Sequence, residues 1–333
     1  MKLFKNLSIF LIISTVMVLA GCTQPASSEE NNEDVTTLRL GHIQNESHAW
    51  HQGSEKFAEL VGEKTNGSVQ VEIYPSSTLG SDRDLVEGMQ IGSVDFALVA
   101  GVMSNFHQPY ALLELPYMFQ DLEHLESFLY GDAGEQLQAD TLQKTGVRGL
   151  EFWIRGPRQL TTNKLVESPA DLEGIKIRTP NIEASVEGWT AMGANPTPMN
   201  FSEVYSSLQT GVIDAQENPV SFSTNAQIQE VQDYLVKTNH VYGYVQLLMS
   251  DKTYQKLNSS EQQAVEEAAL EARQYQNELV FQEEEEALQV MKDAGVEVVE
   301  VDTAPFEELV QPVHDRLADE YGRDLYETID NLR

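Results

Sequence analysis

Runs of two-residue alternation separated by helical spacing recur in this chain, and that rhythm narrows the fold more than any other feature. The stretch TTLRLGHI at 36–43 alternates as a strand does. HAWHQGSEKFAELVGEKTNG follows with a helical stripe of Trp50, Phe57, Leu60 and Val61, and stops at Asn66-Gly67. SVQVEIYP alternates again. GSDRDLVEGMQIGSVD reads as a helix capped by Ser81, with Asp84 at the capping-box position. DFALVAG is then a buried strand. This β-α-β-α-β order predicts an α/β lobe with a largely parallel sheet.

A second rhythm begins near Val147. VRGLEFW reads as a strand, SPADLEG as a short helical turn capped by Ser168, and IKIRTP as a strand stopped by Pro180. NIEASVEGWTAMGA is a helix, NPTPMN a turn, and FSEVYSSLQTG a helix that Ser202 caps and Gly211 ends. VIDAQENP is a short strand. From Ser259 or Ser260 to Asp293 the chain reads as one helix of roughly 50 Å, long enough to lie across two lobes. VEVVEV is a strand, followed by one or two C-terminal helices. No internal sequence repeat is present. Two α/β lobes in one chain predict a cleft that closes around a ligand.

Charge and the N-terminus set the surroundings. Of 333 residues, 53 are acidic and 21 basic, a net charge of −32, so the surface repels nucleic acid and anionic lipid. Such a surface also suits a salty milieu, where ions screen self-repulsion. Lys2 and Lys5 precede an apolar run, Leu7 to Leu19, too short for a comfortable membrane span. The run closes in Leu19-Ala20-Gly21-Cys22, which resembles a bacterial lipobox. That reading makes 1–21 a signal peptide, Cys22 the lipidated mature N-terminus, and 22–36 a flexible tether rich in Ser, Glu and Asn. The other reading is an ordinary export signal that contains a cysteine. Cys22 is the only cysteine, so no intrachain disulfide forms. The expected location is extracytoplasmic, lipid-anchored to the cell membrane.

Cations concentrate in one place. Between positions 155 and 178 lie Arg155, Arg158, Lys164, Lys176 and Arg178, against Glu167, Asp171 and Glu173. In IKIRTP, Ile175 and Ile177 share one face, and Lys176 and Arg178 the other. An arginine at a strand's end, just before a turn-forcing proline, sits where open α/β sheets bind ligands. Its planar donor fork matches a carboxylate; a structural salt bridge is the alternative. GVIDAQENP gathers Gln216, Glu217 and Asn218 after another apolar strand, with Pro219 holding Asn218 extended. It is a second strand-end cluster or a polar turn.

These residues carry a family resemblance. RGPRQLTTNKLVESPADLEGIKIRTP, followed by MGANPTPMNFSEVYSSLQTGVIDAQENP, is similar to the central signature of substrate-binding proteins of tripartite ATP-independent periplasmic (TRAP) transporters, solute-binding family 7. VEIYPSSTLGSDRDLVEGMQIGSVDFAL, ELPYMF and EVQDYLVKTNH also match, so the resemblance runs from about Leu38 to Thr303. It implies two hinged α/β lobes of periplasmic-binding-protein type with a long helix bracing both. One lobe is expected at 37–155 plus about 244–283, the other at 156–243 plus about 284–333. It implies an organic-acid ligand, no cofactor, no catalysis, and a membrane permease as partner. By motif match, Arg178 is the carboxylate anchor, Arg158 a second cleft arginine, Asn218 the cleft amide and Phe201 an aromatic lining the pocket. Glu217 then holds Arg158 in place.

Specificity must come from the rest of the cleft. Gln44, Asn45, His48 and Trp50 follow the first strand, and amides and imidazole suit hydroxyl groups while an indole face suits a sugar ring. The family often has an acid near DFALVAGV; here Ala100 and Gly101 stand there, which leaves room for a bulkier ligand and removes a charge. Trp153 offers a further stacking surface, though tryptophans at this spacing are more often core than platform. The expected ligand is a sugar acid, a uronate or aldonate, with a C4-dicarboxylate or 2-oxo acid as the runner-up. His48 and His51 lack the further ligands of a metal site, and Glu283 to Glu286 fan around a helix as a solvated face. An enzyme is the main rival class, although no G-x-S-x-G elbow, phosphate loop, H-E-x-x-H or cysteine nucleophile appears; a ligand sensor is the second.

Overall fold

The computed structural model describes residues 35–333; the expected signal peptide, the lipidation at Cys22 and nearly all of the tether lie outside these residues. Strand β1 (Thr36–Gly41), helix α1 (Ala49–Lys64), β2 (Val69–Tyr74), α2 (Asp82–Ile91) and β3 (Phe96–Val99) form the first α/β unit. In it β1 pairs in parallel with both β2 and β3. Ser81 and Asp84 close the capping box that starts α2, and Gly92, in the left-handed region at φ 81°, ends it. Two 3₁₀ turns lead to α3 (Leu122–Leu129) and α4 (Asp132–Thr145).

Strand β4 (Val147–Thr162) then crosses to the second unit, built from β5 (Lys176–Thr179), α5 (Glu183–Ala191), β6 (Asn195–Pro198), α6 (Val204–Gln209) and β7 (Ala215–Asn218). Here β5 pairs in parallel with β6 and β7. After α7 (Val220–Asn225), β8 (Tyr234–Ser250) runs back antiparallel to β4 along nearly all of its length. Then come α8 (Asp251–Tyr254), α9 (Ser259–Asp293), β9 (Glu297–Glu300), α10 (Ala304–Tyr321) and α11 (Arg323–Asp330). The result is two α/β lobes sharing one sheet, in the order β2-β1-β3-β8-β4-β7-β5-β6, with β9 on β8.

Four local expectations change. The sheet is parallel only within each lobe, because β4 and β8 join the lobes antiparallel to each other and to β3 and β7. NPTPMN is an edge strand, not a turn: Pro196 and Pro198 lack a donor, which the outermost strand of a sheet tolerates. Asn200, not Ser202, caps the FSEVY segment, with Glu203 reaching back to it, and the first turn is 3₁₀. Glu283 and Glu284 do not belong to a solvated face. They turn inward, and only Glu285 and Glu286 remain exposed.

Helix α9 spans both lobes. Its first half buries Val265, Ala268, Ala269 and Ala272 in the core that holds Trp50 and Phe57; its second half buries Ala287 and Met291 against Val220 and Leu235. Small residues let it approach α1 closely. A Cβ on Gly53 would stand 2.9 Å from both Gln276 Cβ and Trp153 Cζ3. Near its far end, Glu284 accepts from Val220 N (3.0 Å) and Ser221 N (3.2 Å), capping α7, while Glu283 accepts from Ala49 N (3.2 Å) in α1 and from Asn225 (3.2 Å). One helix therefore caps an element of each lobe.

Candidate binding cleft between the lobes

The carboxyl ends of β1, β3, β5 and β7 face a common space, as ligand sites in α/β sheets do. A cavity of about 480 Å³ lies there, walled by Ile43, Ser81, Asp82 and Val102 on one side and by Arg178, Asn181, Asn200 and Phe201 on the other. It shares several residues with a smaller recess of about 50 Å³ that reaches Trp50, Arg155, Arg158 and Asn218. The larger volume lies within the roughly 300–1,000 Å³ of small-molecule sites. Hydrogen bonds bridge the rims: Asn105 Nδ2 donates to Asn181 O (2.9 Å), and Ser47 Oγ to Asn225 Oδ1 (2.9 Å).

Arg178 is the next-to-last residue of β5, beside β7 and β6. Its Nε (3.1 Å) and Nη2 (2.8 Å) donate to Met199 O, which fixes the guanidinium plane, and its Cζ lies 5.8 Å from the Phe201 ring centroid. Burial lowers its pKa to about 10, with Glu217 and Arg158 pulling in opposite senses, so it is a cation at neutral pH. Among the described residues it is in no ion pair.

Arg158 is held quite differently. Its Nε and Nη2 both bond the Glu217 carboxylate, Nη2 to Oε1 at 2.8 Å, and Nη2 also reaches Glu217 O (2.6 Å). His240 Nε2 lies 2.9 Å from Glu217 Oε2. Burial alone would raise the Glu217 pKa; the Arg158 charge and the hydrogen bonds from His240 and Arg158 outweigh it and hold the carboxyl at about 2. The expected Arg158–Glu217 contact is present in this geometry. His240, three-quarters of the way along the chain, was not foreseen.

Asn218 ends β7 and donates to Gln216 Oε1 (2.7 Å), while Gln216 Nε2 donates to Thr161 and Ser223. This chain orients the Asn218 amide toward the recess edge. Trp50 lines the recess too, with Phe222 edge-on at 5.1 Å.

Three expected contacts lie elsewhere. His48 is the N-cap of α1: its Nδ1 accepts from Trp50 N (3.0 Å), and burial lowers its pKa to about 3, leaving it neutral and structural. Trp153 is core, wedged against Gly53 and Gln276, and is not a cavity-wall residue. Gln44 is buried and is not a cavity-wall residue; its carbonyl accepts from Ser76 N (2.8 Å). The room expected at Gly101 is filled as well. A Cβ there would stand 2.3 Å from the carboxyl carbon of Glu114, which pairs with Arg155 Nη2 at 3.0 Å.

Among the cleft residues that the sequence does not single out, Asp82 and Arg155 carry charge into the recess. Asp82, the first residue of α2, lines both spaces with its Oδ1 unpartnered. Burial raises its pKa to about 7 against the charges of Arg178 and Arg155. The signal was available: the capping box uses Ser81 and Asp84, so Asp82 is a spare acid at a strand-end loop. Arg155 was counted but not placed. Residues three apart in a regular strand point to opposite faces; a register break between Arg155 and Arg158 lets both line the recess.

Two lobes meeting at strand carboxyl ends around a polar cavity with an uncompensated guanidinium define a protein built to take a small organic anion out of solution. The chain belongs to the bacterial extracellular solute-binding protein family 7, whose model matches residues 40–320, and it is a solute-binding protein of the TRAP type. It is 39% identical to a solute-binding protein of Roseobacter denitrificans over 307 residues, 92% of each chain. The crystal structure of that TRAP periplasmic solute-binding protein, with bound L-galactonate, superposes with a TM-score of 0.84 over 89% of this chain and 98% of the other. A TRAP periplasmic solute-binding protein from Chromohalobacter salexigens with bound D-glucuronate is 31% identical, with a TM-score of 0.87 over 89% of this chain and all of the other. The C4-dicarboxylate-binding periplasmic protein of Rhodobacter capsulatus is 34% identical over 293 residues, 86% of this chain and 87% of that one.

Proposed function

We propose that this protein captures a sugar acid with one carboxylate, a uronate or an aldonate, and delivers it to the membrane permease of a TRAP transporter. Relatives named for sugar acids and for C4-dicarboxylates both resemble the chain, and the charge balance of the recess favours the former. Arg155 is paired with Glu114 and Arg158 with Glu217, which leaves Arg178 as the one cation without an acid partner among the described cavity-wall residues. One carboxylate balances it. A second carboxylate would face Asp82 in the same space.

In this reading the free edge of Arg178 binds the carboxylate, Phe201 and Trp50 cover the carbon skeleton, and Asp82 and Asn218 accept hydrogen bonds from hydroxyls. Exclusion of water as the lobes close strengthens the ion pair. Only tighter binding by the closed form drives closure. We place the hinge at the register break between Arg155 and Arg158, at the lobe boundary expected from the sequence. Binding without turnover, a lipid anchor on Cys22 and an extracytoplasmic location complete the proposal; the Leu-Ala-Gly-Cys run supports the anchor.

A thermal-shift panel on the mature chain tests it, pairing uronates and aldonates with succinate, malate and 2-oxo acids. A ligand at 100 times its Kd adds about 2.7 kcal/mol. Shifts with sugar acids and not with diacids are expected; shifts confined to the diacids would refute the reading.

A further inference from the structure

Two glycines make room for the buried Glu114–Arg155 pair. A Cβ on Gly101 would collide with the Glu114 carboxyl at 2.3 Å, and one on Gly243 would meet Arg155 Nε at 2.2 Å. Neither glycine has a positive φ, so side-chain space rather than backbone conformation requires glycine at both places. Both charged residues are at least nine-tenths buried, with Glu114 at 1% and Arg155 at 4% exposure. A buried pair of this kind returns little net stability, because desolvation offsets the attraction. Its geometry is also incomplete. Glu114 engages only Nη2, at 3.0 and 3.2 Å, Nε lies over Gly243 without a partner, and Nη1 has none among the described residues. Arg155 nevertheless walls the recess together with Arg158, Arg178, Asp82 and Asn218.

Resting on the sugar-acid reading above, we propose that Arg155 is a specificity-determining contact whose guanidinium donates to a neutral oxygen, a hydroxyl, on the part of the ligand remote from its carboxylate, and that Glu114 sets this preference by cancelling the Arg155 charge. An arginine with its charge cancelled still donates hydrogen bonds, but it does not recompense the desolvation of a second carboxylate. Glu114 therefore excludes diacids of the same carbon skeleton without touching the ligand. Removing its charge frees Arg155 to pair with that second carboxylate.

The test measures Kd by calorimetry for galactonate, its diacid galactarate, and glycerate, which keeps the carboxylate and its adjacent hydroxyl but lacks the remote chain. Wild type, Glu114→Gln and the double variant Glu114→Gln/Arg155→Gln are compared. Wild type is expected to bind galactonate at least tenfold tighter than galactarate. Glu114→Gln should move that ratio at least tenfold toward galactarate. The double variant, which leaves no unpaired charge if Glu114→Gln alone fails to fold, should lose at least tenfold for galactonate while glycerate changes less than threefold. A merely structural pair would weaken galactonate and glycerate together and leave the diacid ratio within threefold, and that result overturns the inference. If the wild type takes no sugar acid at all, the functional reading fails, and the inference falls with it.

Discussion

Arg178 and Arg158 look alike in sequence and differ in what surrounds them. Arg158 has its charge paired with Glu217, whereas Arg178 spends two of its nitrogens on one carbonyl and forms no ion pair among the described residues. Protonation follows the same logic. A carboxyl held at about 2 in the fold, against an ordinary 4.5, adds stability above pH 4.5 that is lost as the pH falls toward 2. Glu217→Gln should therefore flatten the acid limb of the stability curve in that window, measured by denaturant unfolding at a series of pH values. Asp82 has the opposite sign. Its carboxyl is raised from 3.8 to about 7, so its contribution is full below 3.8 and is lost as the pH rises through 7. Asp82→Asn should remove that decline in the ligand-free protein. The sequence made Arg178 legible because strand alternation and Pro180 fix where it points. Arg155 was not, because a register break reverses the parity that alternation assumes. His48 was misplaced because capping and ligand contact call for the same kind of polar residue after a strand.

Elements that carry a strict local period were legible to within a residue or two. Helix α9 begins at Ser259 and ends at Asp293 as expected, and the Ser81–Asp84 box starts α2. The long strands were not. Burial along β4 does not alternate: the four residues after Val147 are half-buried, and from Phe152 to Thr162 all but Pro157 are buried as the strand passes the cleft, so no period survives. Strand β8 has the same problem, with buried residues over most of its 17 positions. Close helix packing was illegible too, since Gly53 looks like any helical glycine until Gln276 and Trp153 are seen against it. Gly53→Ala should cost about 1–3 kcal/mol by forcing α1 away from α9, read as a lower denaturant midpoint.

At the scale of the molecule, α9 and Asn225 tie the lobes together. Asn225 accepts from Ser47, is reached by Asn45 (3.3 Å), and donates to Glu283, so one side chain links the first lobe, the second lobe and the bracing helix. Asn225→Ala should favour the open form at roughly 1 kcal/mol per lost hydrogen bond. Ligand-free X-ray scattering would then give a larger radius of gyration, and sugar-acid affinity would fall several-fold through the population of the closed form. The surface share of the −32 charge weighs little in this balance, because exposed acids are screened by water and salt. The central claim is that Arg178 alone anchors the ligand's carboxylate, and the most direct test is the Kd for a bound sugar acid in wild type and Arg178→Lys. Lysine keeps the charge and loses the planar fork, and losing such a contact costs about 2–5 kcal/mol. At least a thirtyfold weaker Kd is expected, in a variant that still shows a cooperative ligand-free melting transition. A Kd within threefold of wild type would contradict it.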